Sequence, residues 1–102
     1  MPAQNRPDWV ISVSELKNEL GSVKLVDVRQ PEEFIENRID GATLIPLGEL
    51  DSRAEQELKK DESIVVYCAK GMRSLEAVLL LRQKGFKNSR TLEGGIYAWI
   101  QA

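Results

Sequence analysis

The sequence predicts an α/β fold in which a parallel β-sheet is covered by helices on both faces. Short runs of apolar and β-branched residues alternate along the chain with segments whose apolar residues recur at helical spacing. Strands that alternate with helices form parallel sheets, because each helix returns the chain to the same end of the sheet. The 102 residues, of which 42% are apolar, suffice for one compact domain. We therefore expect a flexible tail at residues 1–8 and a single domain at residues 9–102.

The first half of the chain predicts three strands and two short helices. Ser12 and Glu15 have the spacing of a capping box, which predicts that a helix begins there. Pro31 suits the first turn of a second helix, and we expect Phe34 and Ile35 to be its core contacts. The predicted strands of this half are residues 9–11, 23–28 and 42–45.

The second half contains the most apolar stretch of the chain. Residues 64–67 are β-branched or aromatic, which is typical of a buried strand. In the helix predicted at residues 73–84, we expect Leu75, Val78 and Leu79 to share one apolar face, which Ala77, Leu80 and Leu81 widen. The remaining predicted elements are a strand at residues 89–92 and helices at residues 47–60 and 96–101.

Cys68, the only cysteine, begins a six-residue loop between the buried strand and its helix. The loop contains Lys70, Gly71 and Arg73 and no acidic residue. The first amides of a helix have no partner within it, and the helix dipole adds positive potential there. Gly71 allows the loop to curl with its amides inward. Because such surroundings lower the pKa of a thiol from about 8.5, Cys68 is predicted to be a nucleophilic thiolate.

The alternative for Cys68 is a small buried hydrophobic residue without chemistry. The basic residues and glycine that follow it favour the reactive interpretation. The sequence contains no histidine, which excludes a Cys–His pair and disfavours a zinc site. We therefore expect backbone amides and cations to activate the sulfur, and no metal.

Residues 68–74, CAKGMRS, resemble the active-site loop of the rhodanese family of sulfurtransferases. Residues 25–42 resemble the first characteristic region of that family, and residues 92–99, LEGGIYAW, resemble its closing motif. Together these segments cover nearly the whole chain in the order and spacing of the family. Residues 37–46 are also similar to single rhodanese domains at the end of molybdopterin-synthase-type adenylyltransferases.

The resemblance implies a five-stranded parallel sheet with helices on both faces and a sulfurtransferase mechanism. The Cys68 thiolate attacks the outer sulfur of a donor such as thiosulfate and carries it as a persulfide, without metal or organic cofactor. Lys70 and Arg73 are expected to steer the anionic donor. Backbone N–H groups for the persulfide are expected from Ala69, Lys70, Gly71, Met72 and Arg73. Expected partners are a small sulfur donor and acceptor, or a cysteine desulfurase and a sulfur-carrier protein.

Arg29 follows a predicted strand whose carboxyl end lies at the same edge of the sheet as Cys68. It either binds a substrate anion or pairs with a carboxylate such as Glu33, and the pairing is favoured. Asp27, two residues earlier, is predicted to be a turn or cap residue.

Two other functions are weighed against sulfur transfer. Phosphatases on a related scaffold place five residues between cysteine and arginine, whereas only four separate Cys68 from Arg73. The shorter loop is less suited to a bidentate grip on phosphate. A non-catalytic rhodanese-like binding module is the second alternative, and such modules usually lack the cysteine.

Composition excludes further classes of function. The net charge of −2 gives no basic field for nucleic acid, and no apolar run approaches the ~20 residues of a membrane span. The first eight residues lack the apolar core of a signal peptide, and one cysteine forms no internal disulfide. We expect a cytoplasmic protein that binds neither nucleic acid nor membrane.

Overall fold

The computed structural model describes residues 6–102, which form one parallel sheet with helices on both faces. The strands are Val10–Ile11 (β1), Lys24–Asp27 (β2), Thr43–Leu44 (β3), Ile64–Tyr67 (β4) and Ser89–Leu92 (β5). The helices are Val13–Glu19 (α1), Pro31–Glu36 (α2), Leu47–Glu57 (α3), Met72–Gln83 (α4) and Gly95–Gln101 (α5), with a 3-10 turn at Leu20–Ser22. The strand order is β1-β5-β4-β2-β3, and every pair is parallel. The predicted fold class is confirmed.

The central strand β4 shows why both faces of the sheet are covered. All four of its residues are buried. Ile64 and Val66 face a core formed with α3 and α4, whereas Val65 and Tyr67 face a second core formed with α1 and α5. Successive side chains of a strand point to opposite faces, so an apolar run without alternation requires cover on both sides.

Local signals in the first half set the start of α1 as predicted. The Ser12 hydroxyl accepts a hydrogen bond from Glu15 N at 3.1 Å, and Glu15 Oε1 accepts one from Ser12 N at 2.8 Å. The Arg6 guanidinium contacts the same Glu15 carboxylate at 2.7 Å (Nη2–Oε1). The rest of the predicted tail, residues 1–5, lies outside the described residues.

Two expected core contacts are wrong. Ile35 in α2 is 77% exposed, and Leu79 in α4 is 58% exposed. The buried residues of α4 are Ser74, Ala77, Val78 and Leu81, so the expected positions of Val78, Ala77 and Leu81 are confirmed. Apolar residues occupy most positions between 75 and 81, so spacing alone did not identify the inward face.

Two kinds of functional feature were sought in the described part of the chain: a membrane-spanning helix and a metal-binding group. No helix within residues 6–102 is long and apolar enough to cross a membrane. In the same residues, no three His, Cys, Asp or Glu side chains form a group that could hold a metal ion.

Candidate active site

Cys68 lies at the carboxyl end of β4, where the chain leaves the sheet and turns into α4. It is only 1% exposed and belongs to the core between the sheet and α4. The turn depends on Gly71, which caps α4 at φ +119°, a backbone conformation that side chains disfavour. The loop is therefore short, and it brings the first turn of α4 back over the sulfur.

The sulfur of Cys68 is held by hydrogen-bond donors from this loop and helix. Gly71 N donates to Sγ at 3.1 Å, and Ser74 N donates at 3.3 Å. The Ser74 hydroxyl lies 3.4 Å from Sγ. The predicted inward-facing amide of Gly71 is thus present, but sequence reasoning missed the two contacts from Ser74. The sequence did offer a signal for these contacts, because Ser74 is a hydroxyl residue in the first turn of the helix that follows the loop.

These contacts lower the pKa of the thiol. Burial raises the pKa of Cys68, but the hydrogen bonds from the Ser74 hydroxyl and from the amides of Ser74, Gly71 and Lys70 together lower it by more than burial raises it, so the pKa lies below its ordinary value. The predicted direction of the shift agrees with this result. Of the two sources expected from the sequence, backbone amides and cations, the amides account for the lowered pKa together with the Ser74 hydroxyl, and no cationic side chain is among its main causes.

The Arg73 guanidinium, which we expected to face an anionic donor, is bound by Glu33 of α2. Arg73 Nη1 donates to Glu33 Oε1 at 2.8 Å, and Nη2 donates to Oε2 at 3.0 Å. The hydrogen bonds from Arg73 are the main reason that the pKa of Glu33 falls to about 2. The expectation for this side chain is corrected: it joins α2 to the start of α4.

The other residues of the loop present a mixed surface. Lys70 is exposed, and its Nζ lies 5.7 Å from the centre of the Tyr97 ring. Met72 is 79% exposed. Ala69 contributes its carbonyl oxygen to the start of α5. Lys70 is therefore the loop cation left accessible to a ligand.

Arg29 is buried in a pair with Asp27 rather than directed at a ligand. Its Nε lies 3.0 Å from Asp27 Oδ1, and its Nη2 lies 2.8 Å from Asp27 Oδ2. Nη2 also donates to the carbonyl oxygen of Asn37 at 2.6 Å. Pairing with a carboxylate was the favoured prediction, but the partner is Asp27 and not Glu33. With its donors engaged inside the protein, Arg29 acts as a structural residue.

The start of α5 fixes the back of the loop, a role that sequence reasoning did not find. Ile96 N donates to Cys68 O at 2.9 Å, and Tyr97 N donates to Ala69 O at 3.2 Å. Gly95 permits this approach, since a Cβ there would lie 2.4 Å from Ala69 O, and its φ is +63°. The loop carbonyls thus point toward α5, which leaves the loop amides to face the sulfur. The pair of glycines after the last strand was the available signal.

The chain is similar to known proteins over most of its length. A family model described as rhodanese-like domain matches residues 12–102. The chain is 39% identical over 103 residues to the probable adenylyltransferase/sulfurtransferase MoeZ of Mycobacterium tuberculosis, covering 97% of this chain and 26% of that protein. It is 33% identical over 106 residues to human thiosulfate:glutathione sulfurtransferase, covering 89% of this chain and 92% of that protein. A crystal structure of a rhodanese-related protein from Thermoplasma volcanium superposes with a TM-score of 0.84 at 36% identity, over 90% of each chain. The chain spans about a quarter of the mycobacterial relative and most of the other two proteins.

Proposed function

Because the chain belongs to the rhodanese-like domain family, we propose that it is a sulfurtransferase that moves a sulfane sulfur through a persulfide on Cys68. The observation that carries the proposal is the Cys68 sulfur itself, which accepts hydrogen bonds from Gly71 N and Ser74 N at the start of α4. Donors around a thiolate stabilise the nucleophilic form and, after reaction, a persulfide anion.

The reaction proceeds in two displacements. The Cys68 thiolate attacks the outer sulfur of thiosulfate, the sulfur–sulfur bond of the donor breaks, and sulfite leaves with the electron pair. A thiol or cyanide then attacks the terminal sulfur of the persulfide, and the electron pair of the breaking bond returns to Sγ. No external oxidant or reductant is consumed, and the proposed cycle uses no metal or organic cofactor.

The free amides at the start of α4 support the persulfide step. The amides of Met72 and Arg73 donate to no acceptor found within residues 6–102, as is usual for the first turn of a helix. They are available to the terminal sulfur, which extends beyond Sγ. Because Cys68 is only 1% exposed, the site favours donors that present one narrow sulfur, such as thiosulfate or a persulfide.

The position of Arg73 supports sulfur transfer over phosphate hydrolysis. A phosphatase of this type needs the arginine to grip the substrate in a bidentate manner. Here the same guanidinium grips Glu33. The physiological donor is proposed to be a persulfide of a cysteine desulfurase, and the acceptor a thiol or a sulfur-carrier protein, in the cytoplasm.

Intact-mass spectrometry after incubation with thiosulfate tests the proposal. The wild-type protein should gain the mass of one sulfur atom, and cyanide or dithiothreitol should remove it. The Cys68→Ala variant should gain none. Equal labelling of the two proteins would reject Cys68 as the carrier. Hydrolysis of an activated aryl phosphate that Cys68→Ser abolishes, without any sulfur transfer, would support the phosphatase instead.

Lys70 is proposed to attract the anionic donor. Removing one cation contact to thiosulfate should cost about 1–3 kcal/mol in transition-state stabilisation, so Lys70→Ala should lower kcat/KM about tenfold at low salt. Its effect on the free energy of unfolding should be small, because the side chain is exposed. Lys87→Ala is the matched control, since Lys87 is exposed near the opposite end of the sheet. If both variants lower kcat/KM equally, Lys70 has no specific role.

A further inference from the structure

Two buried hydroxyl groups form a chain that ends at the Cys68 sulfur. Ser74 is fully buried and Thr91 is 6% exposed. Their hydroxyl oxygens lie 2.6 Å apart, and the Ser74 hydroxyl lies 3.4 Å from Sγ. Thr91 itself belongs to β5 and reaches the site only through Ser74.

The register of the sheet explains this juxtaposition. Thr91 of β5 pairs with Val66 of β4, two residues before Cys68. Side chains two residues apart on a strand point to the same face, so Thr91 and Cys68 both face α4. The first turn of α4 then places Ser74 between them.

Each hydroxyl has a single proton to donate, which limits the hydrogen-bond directions possible among Thr91, Ser74 and Cys68. The single proton of the Ser74 hydroxyl has three neighbours that could accept it: Sγ, Gly71 O at 3.3 Å and the Thr91 hydroxyl. Within residues 6–102, the Thr91 hydroxyl finds no hydrogen-bond partner except Ser74. When Thr91 donates to Ser74, the Ser74 proton turns away from Thr91, toward Sγ or Gly71 O. Donation along the chain also polarises the Ser74 O–H bond.

We propose that Thr91 is a positioning residue that directs the Ser74 proton toward Cys68 and thereby favours the thiolate. Thr91 does not touch the sulfur, so its whole effect passes through Ser74. The consequence for catalysis rests on the proposed role of Cys68 as the nucleophile. The effect on the thiol itself does not depend on that role.

The charged groups around this end of the sheet stay unchanged when Thr91 is altered. The segments that meet at this end of the sheet carry the charged residues Asp27 and Arg29 at the end of β2, Glu33 in α2, Lys70 in the loop, Arg73 at the start of α4, and Glu93 after β5. Asp27 pairs with Arg29, and Glu33 pairs with Arg73. A change in the titration of Cys68 that follows the loss of the Thr91 hydroxyl is therefore assigned to the hydroxyl chain.

The test is the pH dependence of iodoacetamide alkylation of Cys68 in Thr91→Val, which keeps the shape of threonine and removes the hydroxyl. We expect its apparent pKa to rise by about 0.5 unit, which lowers the alkylation rate below that pKa about threefold. Thr91→Ser restores a hydroxyl and should return the pKa toward the wild-type value. Ser89→Ala is the matched control, because it removes another buried hydroxyl of β5, one that donates to Phe86 O. It should leave the titration unchanged.

A double-mutant comparison separates a relay from general loosening of the structure. Ser74→Ala should raise the pKa more than Thr91→Val does, and adding Thr91→Val to Ser74→Ala should cause no further shift. An equal shift in both backgrounds, an unchanged pKa in Thr91→Val, or a shift in Ser89→Ala as large as in Thr91→Val would each overturn the proposal. Persulfide formation is measured on the same samples. If the titrations behave as expected but no protein forms a persulfide, the proposed function fails and the hydroxyl chain stands.

Discussion

Strands β2 and β4 lie side by side with Asp27 next to Tyr67, and the chain that leaves each strand carries an arginine and leads into a helix. After β2, the charges are paired inside the protein: Arg29 is held by Asp27 and Asn37. After β4, hydrogen-bond donors converge on the sulfur of Cys68, and no cationic side chain of residues 6–102 binds that sulfur.

The two strand ends differ in how their polar groups are paired. At the end of β2, Asp27 binds Arg29 and Arg29 also binds Asn37, and these contacts form a structural clamp. At β4, α5 takes the loop carbonyls and leaves the amides toward the sulfur. Several N–H donors that point at one atom stabilise an anion there. A nucleophilic thiolate and a persulfide both need this stabilisation.

The largest expected effect comes from breaking the clamp after β2. Asp27→Asn leaves the charge of Arg29 buried without its partner, and it should lower the free energy of unfolding by about 3–5 kcal/mol. Denaturant unfolding measures this. The folded fraction should still form a persulfide with thiosulfate, because neither residue touches Sγ. Asp27→Leu combined with Arg29→Met should be less destabilised than the single variant, and a double variant that is worse would show that the clamp is more than a charge pair.

A smaller effect is expected from disturbing the support of the loop after β4. Gly95→Ala adds a Cβ that would meet Ala69 O at 2.4 Å, and it should lower the free energy of unfolding by about 2 kcal/mol. It should also slow persulfide formation about tenfold, as expected for the loss of one hydrogen bond to a charged group. Gly41→Ala is the matched control, because Gly41 has φ +88° but no atom within 4 Å of the added Cβ. If the control slows sulfur transfer as much as Gly95→Ala does, the contact between α5 and the loop is not responsible.

The smallest effect is expected at Glu33, which links the two regions by binding Arg73. The pKa of Glu33 is lowered to about 2 in the folded protein, so the unfolded chain takes up a proton first as the pH falls. The stabilisation is therefore complete above about pH 4.5 and is lost between that pH and about 2. Because both side chains are about one-third exposed, solvent screening limits the pair to about 1 kcal/mol.

Urea unfolding at several pH values measures the contribution of Glu33. Glu33→Gln should be less stable than the wild type by about 1 kcal/mol at pH 7, and the two curves should converge toward pH 2. Glu32→Gln, an exposed neighbour in α2, controls for the loss of a negative charge at this end of the helix. A constant difference between wild type and Glu33→Gln at all pH values would mean that the pair with Arg73 does not form.

Local patterns in the sequence were sufficient for much of the fold and for the placement of Cys68 between β4 and α4. The capping box of Ser12 and Glu15 set the start of α1, and the apolar run at Ile64–Tyr67 matches β4. Cys68 was identified by its position between a strand and a helix beside Gly71. Each of these features depends on residues within a few positions of one another. Helical or strand periodicity, or the φ angle of a single residue, is enough to determine it.

Sequence patterns did not identify the buried face of a helix in which most positions are apolar. In α4, Leu79 belongs to the same apolar series as Val78, yet it is 58% exposed while Val78 is buried. The inward face of this helix depends on its packing against β4, β5 and α3. The periodicity of the helix sequence alone does not reveal that packing.

The sequence by itself determined that Cys68 begins a loop rich in amides and cations, and that this loop lies at the carboxyl end of a central strand. Only the tertiary structure decided the partners of the surrounding groups. Glu33 lies 40 positions from Arg73, and Thr91 lies 17 positions from Ser74. Strand order and register bring such residues together, and these follow from the packing of the whole sheet. A local pattern supplies the donors and acceptors of this site, but the fold selects which of them pair with each other and which remain for the sulfur.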